Sequence, residues 1–255
     1  MADHDLNHND SYTSGISPNR FFGCLLKAFG LLCIAALLMT LLLPEFRSAR
    51  EPARRNSCVN NIKQIVLALH NYHDVYKVFP PAYTVDADGN PLHSWRTLIL
   101  PFMEEYRLYK SIDLTKPWDD PVNAKAAGTV LSAYRCPSSD FEGNKTNYLA
   151  LVTPNSCLRP GQSRNLSEIT DGPSRTMIVT EVPLDQAVSW MSPHDADESM
   201  IMGIGENSKL AHPQLFIVGL ADCAVRTLPA DFPADKRRAL ITVDGGEPIT
   251  DRDLE

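Results

Sequence analysis

Hydrophobic and polar positions along this chain fall into a few distinct patterns. Residues 1–20 show no apolar period and carry Asp3, Asp5, Asn7, Asn9 and Asp10, which predicts a disordered polar tail. From Phe21 to Leu43 the pattern inverts to FFGCLLKAFGLLCIAALLMTLLL, a run of about 23 residues whose only charge is Lys27. Roughly 20 apolar residues cross the hydrocarbon layer as a helix, and a lysine one or two turns from the end can snorkel to the interface. The run therefore predicts a transmembrane helix over 21–43. A cleaved signal peptide would end in a small-residue site, but here the run ends in Leu43-Pro44-Glu45.

Beyond the span, RRNSCVNNIKQIVLALHNYHDVY over 54–76 places Val59, Ile62, Ile65, Val66, Leu69, Tyr72 and Tyr76 at spacings of three, four and seven. That is one stripe of an amphipathic helix, with Asn60, Asn61, Lys63, Gln64, Asn71 and Asp74 on the other side. Pro80-Pro81 stops it. Asp86 to Asn90 reads as a turn. Trp95 to Ile112 has helical spacings with a kink expected at Pro101. Asn147–Val152 and Thr176–Val182 read as strands, and Leu215–Leu220 with Ala224–Leu228 as a hairpin around Ala221-Asp222-Cys223. A short helix is expected over Pro233–Val243. One long helix followed mostly by strands predicts an α+β domain over 44–255, its helix packed on an antiparallel sheet.

Composition narrows the class. A formal charge of -7 and 22% charged residues give no basic face for nucleic acid. Six cysteines occur without a CxxC pair or a histidine at zinc-finger spacing, so spacing indicates no metal. Cys24 and Cys33 lie in the apolar run. Cys58, Cys136, Cys157 and Cys223 allow up to two disulfides in an exported domain, with free buried thiols as the alternative. Arg47, Arg50, Arg54, Arg55 and Lys63 follow the span while Arg20 alone precedes it. The positive-inside rule pulls the domain towards the cytoplasm, although that rule weakens for long translocated domains.

An ordered series of segments resembles the bacterial domain-of-unknown-function 1559 family. LLLPEFRSAREPARRNSCVNNIKQIVLALHNYHDVYKVFPPAY looks like its opening, and KPWDDPVNAKAAGTVLSAYRCPSS like its central Trp-Asp and Cys-Pro-Ser segment, with Trp118 and Cys136. ITDGPSRTMIVTEV is similar to its Asp-Gly-x-Ser strand, with Asp171 and Gly172, and SWMSPHD to its later Trp-x-x-Pro stretch. His212 to Asp222 resembles its closing His-x9-Asp-Gly motif, with Cys223 where the family has glycine. The resemblance implies a type IV pilin-like N-terminal helix. Two departures qualify it. Cys223 in place of glycine suggests altered turn geometry, and Gly23 lacks the Glu that prepilin processing needs at the fifth following position. The second argues against cleavage and filament assembly.

No GxSxG, P-loop, GxGxxG or HExxH motif is present. His212 and Asp222 could form a catalytic or metal pair, but a histidine entering a strand and an aspartate shaping a turn fit a structural role better. Asp86, Asp88 and Asn90 have partial calcium-loop spacing, with Thr97 where a bidentate Glu belongs. The sequence thus points to no catalytic, cofactor-binding or metal residues. It predicts a membrane-anchored, exported, non-enzymatic envelope protein with a structural, adhesive or assembly role. The bilayer would be its partner through Phe21 to Leu43, and other envelope or filament proteins are candidates. A tethered small-solute or glycan module, stacking ligands on Trp95, Trp118 or Trp190, is the alternative.

Overall fold

A computed structural model describes residues 26–39 and 50–254. The predicted tail over 1–20 and both ends of the Phe21–Leu43 run lie outside them. Residues 26–39 are helical (α1), with exposed apolar side chains such as Leu26, Phe29 and Leu31. At 1.5 Å per residue this stretch spans about 21 Å, short of a ~30 Å hydrocarbon layer. Among the described residues, no helix is long and apolar enough to cross a membrane. The chain divides into two compact units between Arg50 and Glu51, and the second holds the α+β domain.

That domain opens with α2 (Arg50–Tyr76), which carries Glu51 in its first turn and His73 in its last. The Glu51 charge suits the positive end of the helix dipole, and Pro52 sits in the first turn, where its missing N–H costs nothing. Lys77, at φ 64°, closes the helix as its N–H donates to the His73 carbonyl at 2.6 Å. Cys58, Ile62, Ile65, Val66, Ala68 and Leu69 form the buried stripe. Tyr76, expected in that stripe, is instead 57% exposed and packs its ring on Tyr72. Asn61 does not simply face solvent, since its amide donates to the Ser132 and Arg135 carbonyls.

The hairpin β1 (Tyr83–Val85) and β2 (Pro91–Ser94) follows, its turn tied by Asp86 Oδ1 accepting from the Asp88 and Asn90 amides. The helix expected over Trp95–Ile112 is broken into α3 (Trp95–Leu98), a 3-10 turn at Leu100–Phe102 and α4 (Tyr106–Lys110). Pro101 lacks a ladder donor and Glu104 adopts φ 64°, so one continuous helix cannot form. After α5 (Ala124–Ala127) come β3 (Lys145–Thr146), β4 (Tyr148–Ala150), β5 (Met177–Glu181) and β6 (Val188–Ser189). Then follow α6 (Glu198–Met202), β7 (Leu215–Leu220), β8 (Val225–Pro229) and α7 (Ala234–Ala239). The last is shorter than the expected Pro233–Val243.

The main sheet runs β4-β5-β7-β8, antiparallel throughout, while β3 pairs with β6. Both faces are covered. Tyr148, Ala150, Ile178 and Ile217 join the core that contains the α2 stripe, whereas Leu149, Leu151, Phe216 and Val218 join a second core with Phe232, Leu240 and Ile241. This is the period-2 alternation of a strand buried on two sides. Gly219 is what allows α2 to lie so close. A Cβ there would sit 2.6 Å from Val66 Cγ2 and 2.9 Å from Ile62 Cγ2.

A buried ion pair ties the loops to this frame. Arg96 Nη1 meets Asp195 Oδ1 at 2.5 Å, with both side chains essentially inaccessible. The guanidinium also donates to the carbonyls of Trp190, Ser192 and His194, and Asp195 accepts from Trp95 Nε1 and the Ala150 amide. Burial pushes the Asp195 carboxyl above its ordinary pKa, and Arg96 pulls against that shift.

Two substitutions test this frame by urea unfolding. Gly219→Ala should destabilise the domain by about 1–3 kcal/mol, because the new methyl overpacks the α2 contact. Asp195→Ala leaves Arg96 buried without its counter-charge and should cost about 3–5 kcal/mol.

Candidate functional site

The polar cluster of greatest chemical interest lies where the first turns of α2 cross the sheet. Cys58 is in the buried stripe of α2, and Cys136 is in the loop after a 3-10 turn at Ser132–Tyr134. Their sulfurs form a disulfide across 78 residues of sequence, with Cα atoms 5.3 Å apart. His212 stands just before β7, its carbonyl accepting from the Leu215 amide. Glu181 ends β5, where every residue is buried.

The distances are short. His212 Nε2 is 3.5 Å from Cys136 Sγ and 3.9 Å from Glu181 Oε1. On its other side, His212 Nδ1 meets Glu51 Oε1 at 2.7 Å. That contact selects the Nδ1–H tautomer, leaving the Nε2 lone pair aimed at the cluster. Asn147 Nδ2 donates to Glu181 Oε1 at 3.4 Å, but Glu181 Oε2 has no hydrogen-bond partner among the described residues. Asn147 Oδ1, just before β4, is likewise buried and unpartnered among the described residues.

Among the described residues, Cys58, Cys136, Glu181 and His212 form the one group whose ligand atoms all lie within 4.8 Å of one another. All four are buried. A recess of about 250 Å³, lined by Glu51, Pro52, Arg55, His212, Pro213 and Leu215, opens beside His212.

Burial pushes the Glu181 carboxyl up to about 8; Asn147 opposes the shift and the Glu51 carboxylate adds to it. This is the condition of a carboxyl taken out of water without a full set of donors.

The other signature residues are placed elsewhere. Asp222 sits exposed at the β7–β8 turn, its Oδ1 accepting from the Ala224 amide at 2.9 Å, while His212 lies at the opposite end of β7. The two do not meet. Cys223 adopts φ 71° at this turn. The cysteine thus takes the left-handed conformation that a glycine would occupy at less cost. Asp171 fastens the closing segment, accepting from the Gly245 and Gly246 amides at 2.7 and 2.9 Å, and Gly172 turns the chain at φ 101°. Trp118 is half-buried, its backbone N–H bonded to the Leu92 carbonyl. Trp95 and Trp190 are sealed in the core, so no two of the three indoles share an open face. Cys157 is a buried free thiol, and Cys223 is also unpaired.

Sequence reasoning passed over Glu51, Cys58 and Glu181 as site members. One signal was available for Glu181, a lone carboxylate inside the apolar run MIVTEV. Cys58 holds an ordinary stripe position, and nothing in the spacing couples it to His212.

Residues 47–157 match the model of a family described as a protein of unknown function, DUF1559. No curated protein and no solved structure matches the chain. The matched segment contains Glu51, Cys58 and Cys136, while Glu181 and His212 lie beyond it.

Glu181 makes a specific pH prediction for the disulfide form. The folded chain holds this proton up to about pH 8, whereas an unfolded Glu releases it near ~4.3. Between those values the folded state binds more protons. The Glu181 contribution to stability is therefore complete at the acid end of the window, falls as pH rises through it, and is level above it. Glu181→Gln should remove this slope. In thermal melts the variant should gain on the natural chain at about pH 8 relative to about pH 5, and a constant difference would refute the assignment.

Proposed function

We propose that this chain, whose residues 47–157 match the DUF1559 family model, is a membrane-anchored, exported envelope protein whose domain has a structural, adhesive or assembly role. The observation that carries this reading is the Cys58–Cys136 disulfide, which fastens the long helix to the body of the domain. Disulfides of this kind form and persist in oxidising compartments outside the cytoplasm. The run Phe21–Leu43 supplies the tether, with a length and apolarity suited to a lipid span. A long helix laid along an antiparallel sheet, with Gly219 admitting the close approach, is the arrangement a pilin-like design calls for.

The principal charged side chains of the core act as fasteners on this reading. Arg96 and Asp195 join the loops. Arg237 donates to the carbonyls of Ile201, Ile204, Ala230 and Phe232, which holds the closing segment on the second face of the sheet. A tethered small-solute module is the second reading. It is favoured by a recess of about 580 Å³ whose lining includes Asp185, Gln186, Glu206, Asn207 and Lys209. That volume falls within the range of small-molecule sites.

Localisation tests the leading reading directly. The full-length chain should partition with membranes, resist salt washing and be released by detergent. Protease added to intact spheroplasts should remove the domain. Recovery in the salt-washed soluble fraction, or complete protection from protease, would overturn the proposal.

A further inference from the structure

Three features of the Cys58–Cys136 cluster go beyond a structural cross-link. The first is the donor set, two sulfurs, one imidazole nitrogen and one carboxylate, all buried and within 4.8 Å of one another. Four ligands about 2.0–2.3 Å from a tetrahedral centre lie about 3.3–3.8 Å apart. The His212 Nε2 to Cys136 Sγ distance of 3.5 Å is inside that span, and the 3.9 Å to Glu181 Oε1 is just beyond it.

The second feature is the support behind the donors. His212 presents Nε2 inward because Nδ1 is held by Glu51 at 2.7 Å. Zinc-binding histidines are commonly fixed by a carboxylate in this way. Asn147 stands behind the Glu181 carboxylate in the same fashion. The third is incompleteness. Glu181 Oε2 is fully buried with no partner among the described residues, and in the disulfide form His212 Nε2 faces a sulfur that carries no proton to donate. A buried acceptor left in this state costs free energy that a cation would recover.

We propose that reduction of the Cys58–Cys136 disulfide converts this cluster into a closed four-ligand site for one Zn2+, held by Cys58 Sγ, Cys136 Sγ, Glu181 and His212 Nε2. The reductant is a dithiol. Its thiolate attacks one sulfur, the Cys58–Cys136 bond breaks, and a mixed disulfide forms. The second thiol of the reductant then displaces the remaining cysteine. The reductant leaves as a disulfide, and its two electrons and two protons remain on Cys58 and Cys136 as thiols. When zinc enters, two Zn–S bonds, one Zn–N bond and one Zn–O bond form. The thiol protons, and any proton on Glu181, pass to solvent. Two sulfurs, an imidazole and a carboxylate suit zinc better than magnesium or calcium, which prefer all-oxygen shells. The recess beside His212 provides the entry path. Zinc and the disulfide exclude each other, so the redox poise of the compartment sets which form holds α2 against Cys136.

The test uses the purified full-length chain and does not depend on where the protein resides, so its outcome is separate from that of the envelope proposal. The chain is reduced with a phosphine, freed of reductant under argon, and titrated with Co2+ alone. One Co2+ per chain should bind, giving thiolate-to-cobalt charge transfer and tetrahedral d–d bands, and Zn2+ should bleach both. The disulfide form, identical in sequence, should give neither. Glu51→Gln should weaken binding by about 10–100-fold by loosening His212. His212→Ala should weaken it further, and Cys58→Ser with Cys136→Ser should abolish it while leaving the other cysteines as a background control. If the serine variant does not fold, the oxidised natural chain serves as the negative control. The proposal falls if the reduced chain takes up no cobalt, if the disulfide form binds equally, or if His212→Ala leaves affinity unchanged.

Discussion

The described domain depends most on the Arg96–Asp195 ion pair. Charges withdrawn from water are costly, and their mutual attraction offsets that cost only when every remaining donor and acceptor is also engaged. Here they are well engaged. Arg96 reaches carbonyls of the 190–194 segment, Asp195 takes the Trp95 indole and the Ala150 amide, and the Arg96 carbonyl accepts from Tyr134 Oη at 2.7 Å. Three stretches of chain that contribute little regular structure, around Arg96, Tyr134 and residues 190–195, are thereby fixed to the β4 edge of the sheet. A domain with so much irregular backbone between short strands needs such a fastener, since each ordered loop residue costs conformational entropy that strand pairing does not return.

The same logic shapes the second face. Arg237 serves as a positive staple among carbonyl oxygens; burial lowers its pKa, and the Asp231 carboxylate opposes that shift. The sheet between these two fasteners is buried on both sides. Strands of only a few residues can then be stable, because their side chains fill two cores rather than one.

Much of this fold was legible in the chain. The α2 stripe, strands β4 and β5 and the β7–β8 hairpin each carry a local pattern, and such a pattern survives folding when one face packs against a partner. Tyr76 misled because an aromatic ring at helical spacing can stack on a neighbour at the surface, whereas Tyr72 packs partly buried against the core as its spacing indicates. Trp95–Ile112 misled because its spacing is helical, while Pro101 and the left-handed Glu104 prevent a continuous ladder. The candidate site was far less legible. Its four donors come from four separate segments, and cysteine spacing does not encode which sulfurs meet. His212 was visible as part of a motif, but its neighbours were not, because only the sheet register and the crossing of α2 bring them together.

The contrast between the two buried polar groups gives the candidate site its meaning. The Arg96–Asp195 cluster satisfies nearly all of its atoms with the chain itself and needs nothing further. The His212–Glu181 cluster does not, although it is just as buried and lies on the same sheet. A domain built only for rigidity would place an apolar residue at Glu181, since a carboxyl short of donors destabilises a core to which its strand neighbours Ile178 and Val179 contribute. The carboxyl sits instead within reach of an imidazole whose inward nitrogen is bare, beside two sulfurs that can exist as a disulfide or as thiolates. Local agreement between sequence and fold breaks at this cluster, and such breaks are characteristic of functional or strained sites.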